Sequence, residues 1–305
     1  MQFICLWRRL RQNQFHAQPL TCTMSPLEIS ALSGMSELPV DTPTPSAPIG
    51  SLTRLLQILD LFTLERPVIH IDTVVEAFAI AQSTAYRYLR ELSDAGLVAS
   101  TGRGSYSLGR RIVEFERLLQ LSDPLLLGGK AVMDSLEPYC QNRAFLLCAP
   151  YRDRVLCIYK VGVNEVLIDG QPIRIMRGRG TSFPLFRGAG SQVILAHMAA
   201  HQTKSLYLSN AAEIAAAGLG ADWKEFRKAL SAIRKREYAE TVGRMNPGMY
   251  SIAVPIIKNE GRVAGSILML GAAAEHEAGL AHIPVLQAKA LEIAASLDEL
   301  PTEGE

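Results

Sequence analysis

The sequence predicts an α+β chain in which a small helical module closed by a strand hairpin precedes a linker helix and a larger domain built on an antiparallel sheet. Three observations carry this. Apolar residues recur at helical spacing from residue 52 to about 95, two short strand runs then flank Gly102-Arg103-Gly104, and beyond residue 143 two pairs of apolar strand runs each surround a polar turn. At 305 residues the chain is long enough for two domains, each with its own core. The boundaries read from the pattern are 1–48, a disordered N-terminal extension; 49–110, the helical module; 111–125, a linker helix; and 126–300, the sheet domain.

Composition excludes several classes. With 48% hydrophobic and 20% charged residues the chain is globular. A net charge of +1 neither supports nor excludes a nucleic-acid partner, because a DNA-reading module can be diluted by its neighbour. The five cysteines form no CxxC pair and have no histidines at zinc spacing, so no metal and no disulfide framework is expected, and Cys148 and Cys157 lie in apolar runs as packing residues. No apolar run approaches the ~18 residues that cross a bilayer. The apolar start, with Arg8, Arg9 and Arg11 after it, reverses a signal peptide's order, so the expectation is a soluble, cytoplasmic protein with no membrane partner. Residues 39–48, PVDTPTPSAP, read as an extended linker, and Met24 or Met35 is an alternative initiator.

The first helix, SLTRLLQILDLF, places Leu52, Leu55, Leu56, Leu59 and Phe62 on an apolar stripe. Pro67 breaks the pattern, Asp72 is the expected N-cap of a short second helix carrying Val74, Val75 and Phe78, and a turn follows at Ala79 and Ile80. The third helix, 82–95, is the informative one. At ~100° per residue, Ala85, Tyr88, Leu89 and Leu92 fall on one side, while Ser83, Tyr86, Arg87 and Arg90 fall on the other. That second side holds two cations and two hydroxyls and is expected to be free of acids. Such a face suits a major groove, where arginine forks onto guanine and hydroxyls or a helix N-terminus bond phosphate; the competing reading is an ordinary solvated face. Gly96 ends the helix, and VASTGRGSYSLG then forms a wing with Arg103 at its tip, suited to sugar-phosphate or a minor groove. Residues 51–111 contain seven Arg against six Asp plus Glu, so arginine placement, not bulk charge, carries the argument.

The run from SLTRLLQILDLF through QSTAYRYLRELSDAGLVASTGRGSYSLG resembles the winged helix-turn-helix of the IclR family of transcriptional regulators, in which a Ser-Thr pair opens the recognition helix and an arginine follows. Ser83, Thr84 and Arg87 occupy those positions, and Ala79 stands where the family commonly has a glycine in the bend. RRIVEFERLLQL, with Ile112, Val113, Phe115, Leu118 and Leu119 in helical register, resembles the helix linking the two IclR domains.

Beyond it, 128–142 is expected as a helix, AFLLC and RVLCIYKV as an antiparallel pair around PYRD, SIAVPII and RVAGSILML as a second pair around KNEG, and 284–297 as a final helix. This order is similar to the family's GAF-like effector-binding domain. FPLFRGAGSQVILA and NPGMYSIAVPI strengthen the resemblance. In the first, Gly188-Ala189-Gly190 opens a helix whose unpartnered N–H groups attract a carboxylate, which makes Gly188 and Ala189 effector-site candidates; the alternative is a tight helix-sheet contact. The resemblance further implies that Met249, Ser251 and nearby Thr241 line the pocket. Where relatives that bind small hydrophilic acids carry serines on the last strand, this chain has Leu268 and Leu270, which admits a larger or aromatic acid.

Enzyme signatures are absent: no G-x-S-x-G, no phosphate loop, no H-E-x-x-H, hence no catalytic residues and no cofactor. His197 and His201, four apart on one expected helix, lack a third metal ligand. Arg177 and Arg179 read as solvated or as oligomer contacts. The expectation is a regulator of a catabolic or metabolic operon that binds duplex operator DNA as a dimer or tetramer and answers to a small organic acid. The alternative is a small-molecule-binding or catalytic protein whose N-terminal module serves association.

Overall fold

The computed structural model describes residues 50–175 and 178–299. The proline-rich stretch, the rest of the N-terminal extension and Arg177 lie outside them. The chain divides between Gly109 and Arg110 into two compact units.

In the first unit, α1 (Ser51–Gln57) tightens into a 3-10 turn, Ile58–Leu61. The buried face centres on Ile58, with Leu55, Leu59, Leu61 and Phe62 packed beside it. Leu52 and Leu56, expected on the apolar stripe, are instead 71% and 50% exposed, and Ile58 takes the central buried position. A short strand not expected from the sequence, β1 (Val68–His70), precedes α2 (Ile71–Phe78). Because β1 runs directly into α2, the N-cap is His70 and not Asp72: the His70 ring nitrogen Nδ1 accepts from the Asp72 N–H at 3.4 Å. Ala79 turns the chain in the left-handed region, φ 49° and ψ 47°.

The third helix, α3 (Gln82–Asp94), buries Ala85, Tyr88, Leu89 and Leu92 as its periodicity requires. Gly96, at φ 73°, lets the Leu97 N–H return to the Leu92 carbonyl at 2.9 Å, a Schellman end. The wing follows as β2 (Val98–Gly102) and β3 (Ser105–Leu108), with β1 pairing antiparallel to β3 to give the order β1-β3-β2.

The second unit begins with α4 (Arg111–Ser122), none of whose residues is buried. Next comes α5, which spans Pro124–Asp134 and not 128–142. Asp123 caps it, its Oδ1 accepting from the Leu126 N–H at 2.8 Å, Pro124 sits at the first turn, and the chain leaves the helix before Pro138. The expected hairpins form between β4 (Ala144–Tyr151) and β5 (Arg154–Gly162), then, late in the chain, between β10 (Met249–Ile257) and β11 (Val263–Ala272). Between them the structure adds a small hairpin, β6 (Glu165–Ile168) with β7 (Gln171–Arg174), and an edge strand β8 (Ser182–Pro184). Helices α6 (Ala189–His197), α7 (Ala200–Ala216) and α8 (Trp223–Arg236) and strand β9 (Ala239–Val242) follow. After β11 come the short α9 (His276–Leu280) and α10 (Ile283–Glu299).

The sheet order is β8-β5-β4-β11-β10-β9, antiparallel throughout. Strand alternation sorts the core into two clusters. Leu146, Cys148, Leu268 and Leu270 meet α6 and α8 on one face, and Phe145, Leu147, Ile267 and Met269 meet α5 and α10 on the other. No helix among the described residues is long and apolar enough to cross a membrane.

Candidate nucleic-acid interface and effector recess

Opposite its buried side, α3 exposes Ser83, Tyr86, Arg87 and Arg90, with Thr84 half-buried. No side chain caps its start at Ala81, so the first backbone N–H groups and the positive end of the helix dipole stay open beside Ser83. The face is not free of acids: Glu91, four residues beyond Arg87, is exposed as well as Asp94. Asp94 lies a turn beyond Arg90, with Arg90 Nε 3.8 Å from its Oδ2, because a four-residue step returns to the same side. An exposed pair at that distance contributes only about 0.3–0.5 kcal/mol, so it yields readily to a phosphate or a base edge.

At the wing tip Arg103 is exposed, with φ 50°. The tip is fastened: His70 Nε2 lies 3.0 Å from the Arg103 carbonyl, and the Ile71 N–H donates to the Gly104 carbonyl at 2.9 Å. Since a carbonyl only accepts, Nε2 is the donor in that bond, while Nδ1 faces both the Asp72 N–H at 3.4 Å and the Asp72 carboxylate Oδ2 at 3.0 Å. Sequence reasoning missed His70, because the pairing of β1 with the wing spans more than thirty residues.

In the second unit α6 opens beneath β10 and β11. Gly188 is its N-cap at φ 85°, a conformation that glycine adopts without strain, and no side chain caps the helix. Ser266 on β11 donates from its hydroxyl to the Gly190 carbonyl at 3.0 Å and so holds this end of α6 against the sheet. A recess forms there. Gly188, Ala189, Ser251 and Leu268 line it, four of the expected residues, and Arg187 and Ser191 join them. Phe183 and Met245 close its edge. Its enclosed part is about 10 Å³, room for one water, and the whole depression with its mouth is about 200 Å³.

Thr241 stands one step behind, its hydroxyl 2.7 Å from that of Ser251, its register partner across β9 and β10. Met249 and Leu270 are buried in the same core cluster but do not line the recess. Ser191 is 1% exposed and its hydroxyl oxygen has no partner. Neither Arg187 nor Ser191 was singled out from the sequence, since nearly all of α6 is buried and its pattern marks no face.

Other expectations resolve differently. His197 ends α6 and His201 lies in α7, because Met198 and Ala199 are extended, so the two do not share a helix. The His197 Nδ1 donates to the Val193 carbonyl at 2.8 Å, and burial pushes its pKa down. Among the described residues no group of three or more candidate ligands could hold a metal. The Cys157 thiol is pushed up to about 12 by burial, the behaviour of a packing residue. Arg179 is exposed, as expected, but it is also partnered. Its Nε contacts Glu116 Oε1 on α4 at 2.5 Å and its Nη1 donates to the Ile158 carbonyl.

A helix with one buried and one arginine-bearing face beside a fastened wing, followed in the chain by a sheet domain with a helix N-terminus open to a recess, defines a ligand-responsive DNA-binding protein. Residues 51–102 match the family model described as IclR helix-turn-helix domain, and 147–294 match Bacterial transcriptional regulator IclR C-terminal. The chain belongs to the IclR family of transcriptional regulators, a family of DNA-binding regulators and not of enzymes. Among its relatives, KipR of Bacillus subtilis is 22% identical over 226 residues, 72% of this chain and 85% of KipR. XynR of Escherichia coli is 24% identical over 221 residues, 72% of this chain and 84% of XynR. An IclR regulator from Alicyclobacillus acidocaldarius superposes with a TM-score of 0.65 at 20% identity, over 82% of this chain and all of that one. An IclR homolog from Microbacterium hydrocarbonoxydans, solved in complex with 4-hydroxybenzoate, gives the same score and identity over 82% of this chain and 99% of that one.

Proposed function

We propose that this regulator acts in the cytoplasm on a catabolic or metabolic operon, and reads a pseudo-palindromic operator with Ser83, Thr84, Tyr86, Arg87 and Arg90 in the major groove while Arg103 touches the backbone from the wing. The observation that carries this is the division of α3 into a fully buried side and an exposed arginine side. Two such helices, one from each protomer, fit successive major grooves ~34 Å apart.

Self-association as a dimer, or a dimer of dimers, is supported by exposed apolar surface. Val113, Leu118 and Leu121 on α4 are 68%, 59% and 56% exposed, and a helix that shows large apolar side chains to solvent on more than one side is suited to a partner. The recess of Gly188, Ala189, Ser251 and Leu268, backed by Thr241, Met249 and Leu270, receives the effector, a small organic acid. The 4-hydroxybenzoate in the Microbacterium hydrocarbonoxydans homolog supports that class, aromatic acids included. An acid that binds one arrangement of the protein better than another shifts DNA affinity by that difference.

A gel shift on the gene's upstream DNA tests the DNA reading. Arg87→Ala is expected to cost about 1–3 kcal/mol and to relax specificity at one base position. Unchanged affinity and specificity would remove Arg87 from base readout.

A further inference from the structure

We propose that Arg187 selects the effector by charge, pairing with the carboxylate of a monoanionic acid whose oxygens also meet the Ser191 hydroxyl and the open N–H groups at the start of α6. The inference rests on the recess being the effector site.

Two polar functions in the recess are unmatched. Among the described residues the Arg187 guanidinium makes no side-chain hydrogen bond or ion pair, although the residue is only partly exposed and lines the recess. The Ser191 hydroxyl, 1% exposed, lines the same recess without a partner for its oxygen. A buried hydroxyl left unbonded is penalised, and such a group calls for a partner, which a water, an ion or a ligand oxygen can supply. The other hydroxyl on the lining, Ser251, is already bonded to Thr241.

The backbone agrees with the side chains. The first intrahelical bond of α6 is Gln192 N–H to the Gly188 carbonyl, so the N–H groups of residues 189–191 precede it and end the helix as donors. One cation, one hydroxyl and a row of N–H groups are all matched by a single carboxylate, and a guanidinium receives it through two parallel bonds. A dianion would bring a second charge for which the lining, among the described residues, holds no second cation, and a neutral molecule would cover Arg187 without pairing it. The rest of the lining, Phe183, Met245 and Leu268, is apolar and suits an apolar body. Met245 is the adjustable wall: its side chain reaches within 3.6 Å of where a Cβ on Gly188 would stand, and three rotatable bonds let it swing aside for a ligand larger than the enclosed space.

The test is thermal shift and calorimetry on the full-length protein with benzoate, 4-hydroxybenzoate, pyruvate and acetate, each paired with its neutral amide, and with phthalate as a dianion. The wild type is expected to respond to at least one monoanion and to bind its amide and the dianion at least tenfold more weakly. Arg187→Gln should weaken the acid at least tenfold and leave the amide within twofold, Arg187→Lys should restore part of the acid affinity, and Ser191→Ala should weaken it severalfold. Leu268→Trp, which fills the recess, should abolish both. If Leu268→Trp abolishes binding while Arg187→Gln does not, charge selection by Arg187 is wrong and the recess stands. If acid binds and neither variant affects it, the effector site lies elsewhere and both readings fall. A wild type that answers to none of these acids, or equally to acid and amide, also overturns the proposal.

Discussion

Ala79 holds a backbone conformation that L-residues adopt at a cost of about 1–2 kcal/mol, because its Cβ crowds the following carbonyl. The bend between α2 and α3 requires it, since the Ile80 N–H must turn back to the Val75 carbonyl before α3 can start. Ala79→Gly is therefore expected to stabilise the DNA-binding unit by up to about 1 kcal/mol, a gain reduced by the extra freedom of glycine in the unfolded chain. Chemical denaturation followed by a probe in that unit measures it, and a destabilised variant would show that the alanine methyl contributes packing. From residue identities alone Ala79 is legible as the bend. Its left-handed dihedrals are not, because alanine carries none of the preference that glycine or asparagine advertises.

Among the elements, α4 shows how a local pattern and a distant partner combine. Its helical register is plain in RRIVEFERLLQL, yet what grips it is Arg179, sixty-three residues on, through Glu116. The Arg179 guanidinium beside Glu116 holds that carboxyl below the usual carboxylate value, the Gln120 amide helps, and partial burial opposes both. A carboxyl lowered in the folded state lends stability that is complete above its unfolded value of about 4.3 and that vanishes as pH falls through the lowered folded value. Glu116 is 40% exposed, so solvent screening limits the pair to about 1 kcal/mol or less. Glu116→Gln is expected to lose that amount at pH 7, with the urea midpoints of variant and wild type converging at a pH below the lowered folded value. Midpoints that differ equally at both pH values would show that Glu116 acts through packing and not charge. The start of α5 at Pro124, ahead of the expected 128, has a related reason: the apolar run Leu125-Leu126-Leu127 carries no period, so only the Asp123 cap and Pro124 mark where the helix begins.

For the whole molecule, apolar surface on α4 is the feature that a lone chain leaves unexplained. A Leu118→Lys, Leu121→Lys double variant is expected to sediment as a smaller species than wild type at equal concentration, with unchanged far-UV circular dichroism, since both side chains are exposed and no core is disturbed. Unchanged sedimentation would place the self-association surface elsewhere.

Sequence alone determined the amphipathic α3, its arginine face, the wing and the two long hairpins, because periods of 3.6 and 2 are local and each residue's side follows from its neighbours. Tertiary structure alone decided the recess. Ser191 comes from the first turn of α6 and Arg187 from just before its N-cap, Met245 and Ser251 from the turn before β10 and from β10 itself, and Leu268 from β11. In a helix buried on nearly every side no periodicity reports which residue meets a cavity, so the unmatched hydroxyl of Ser191 and its nearness to Arg187 emerge only when segments distant in the chain are folded together.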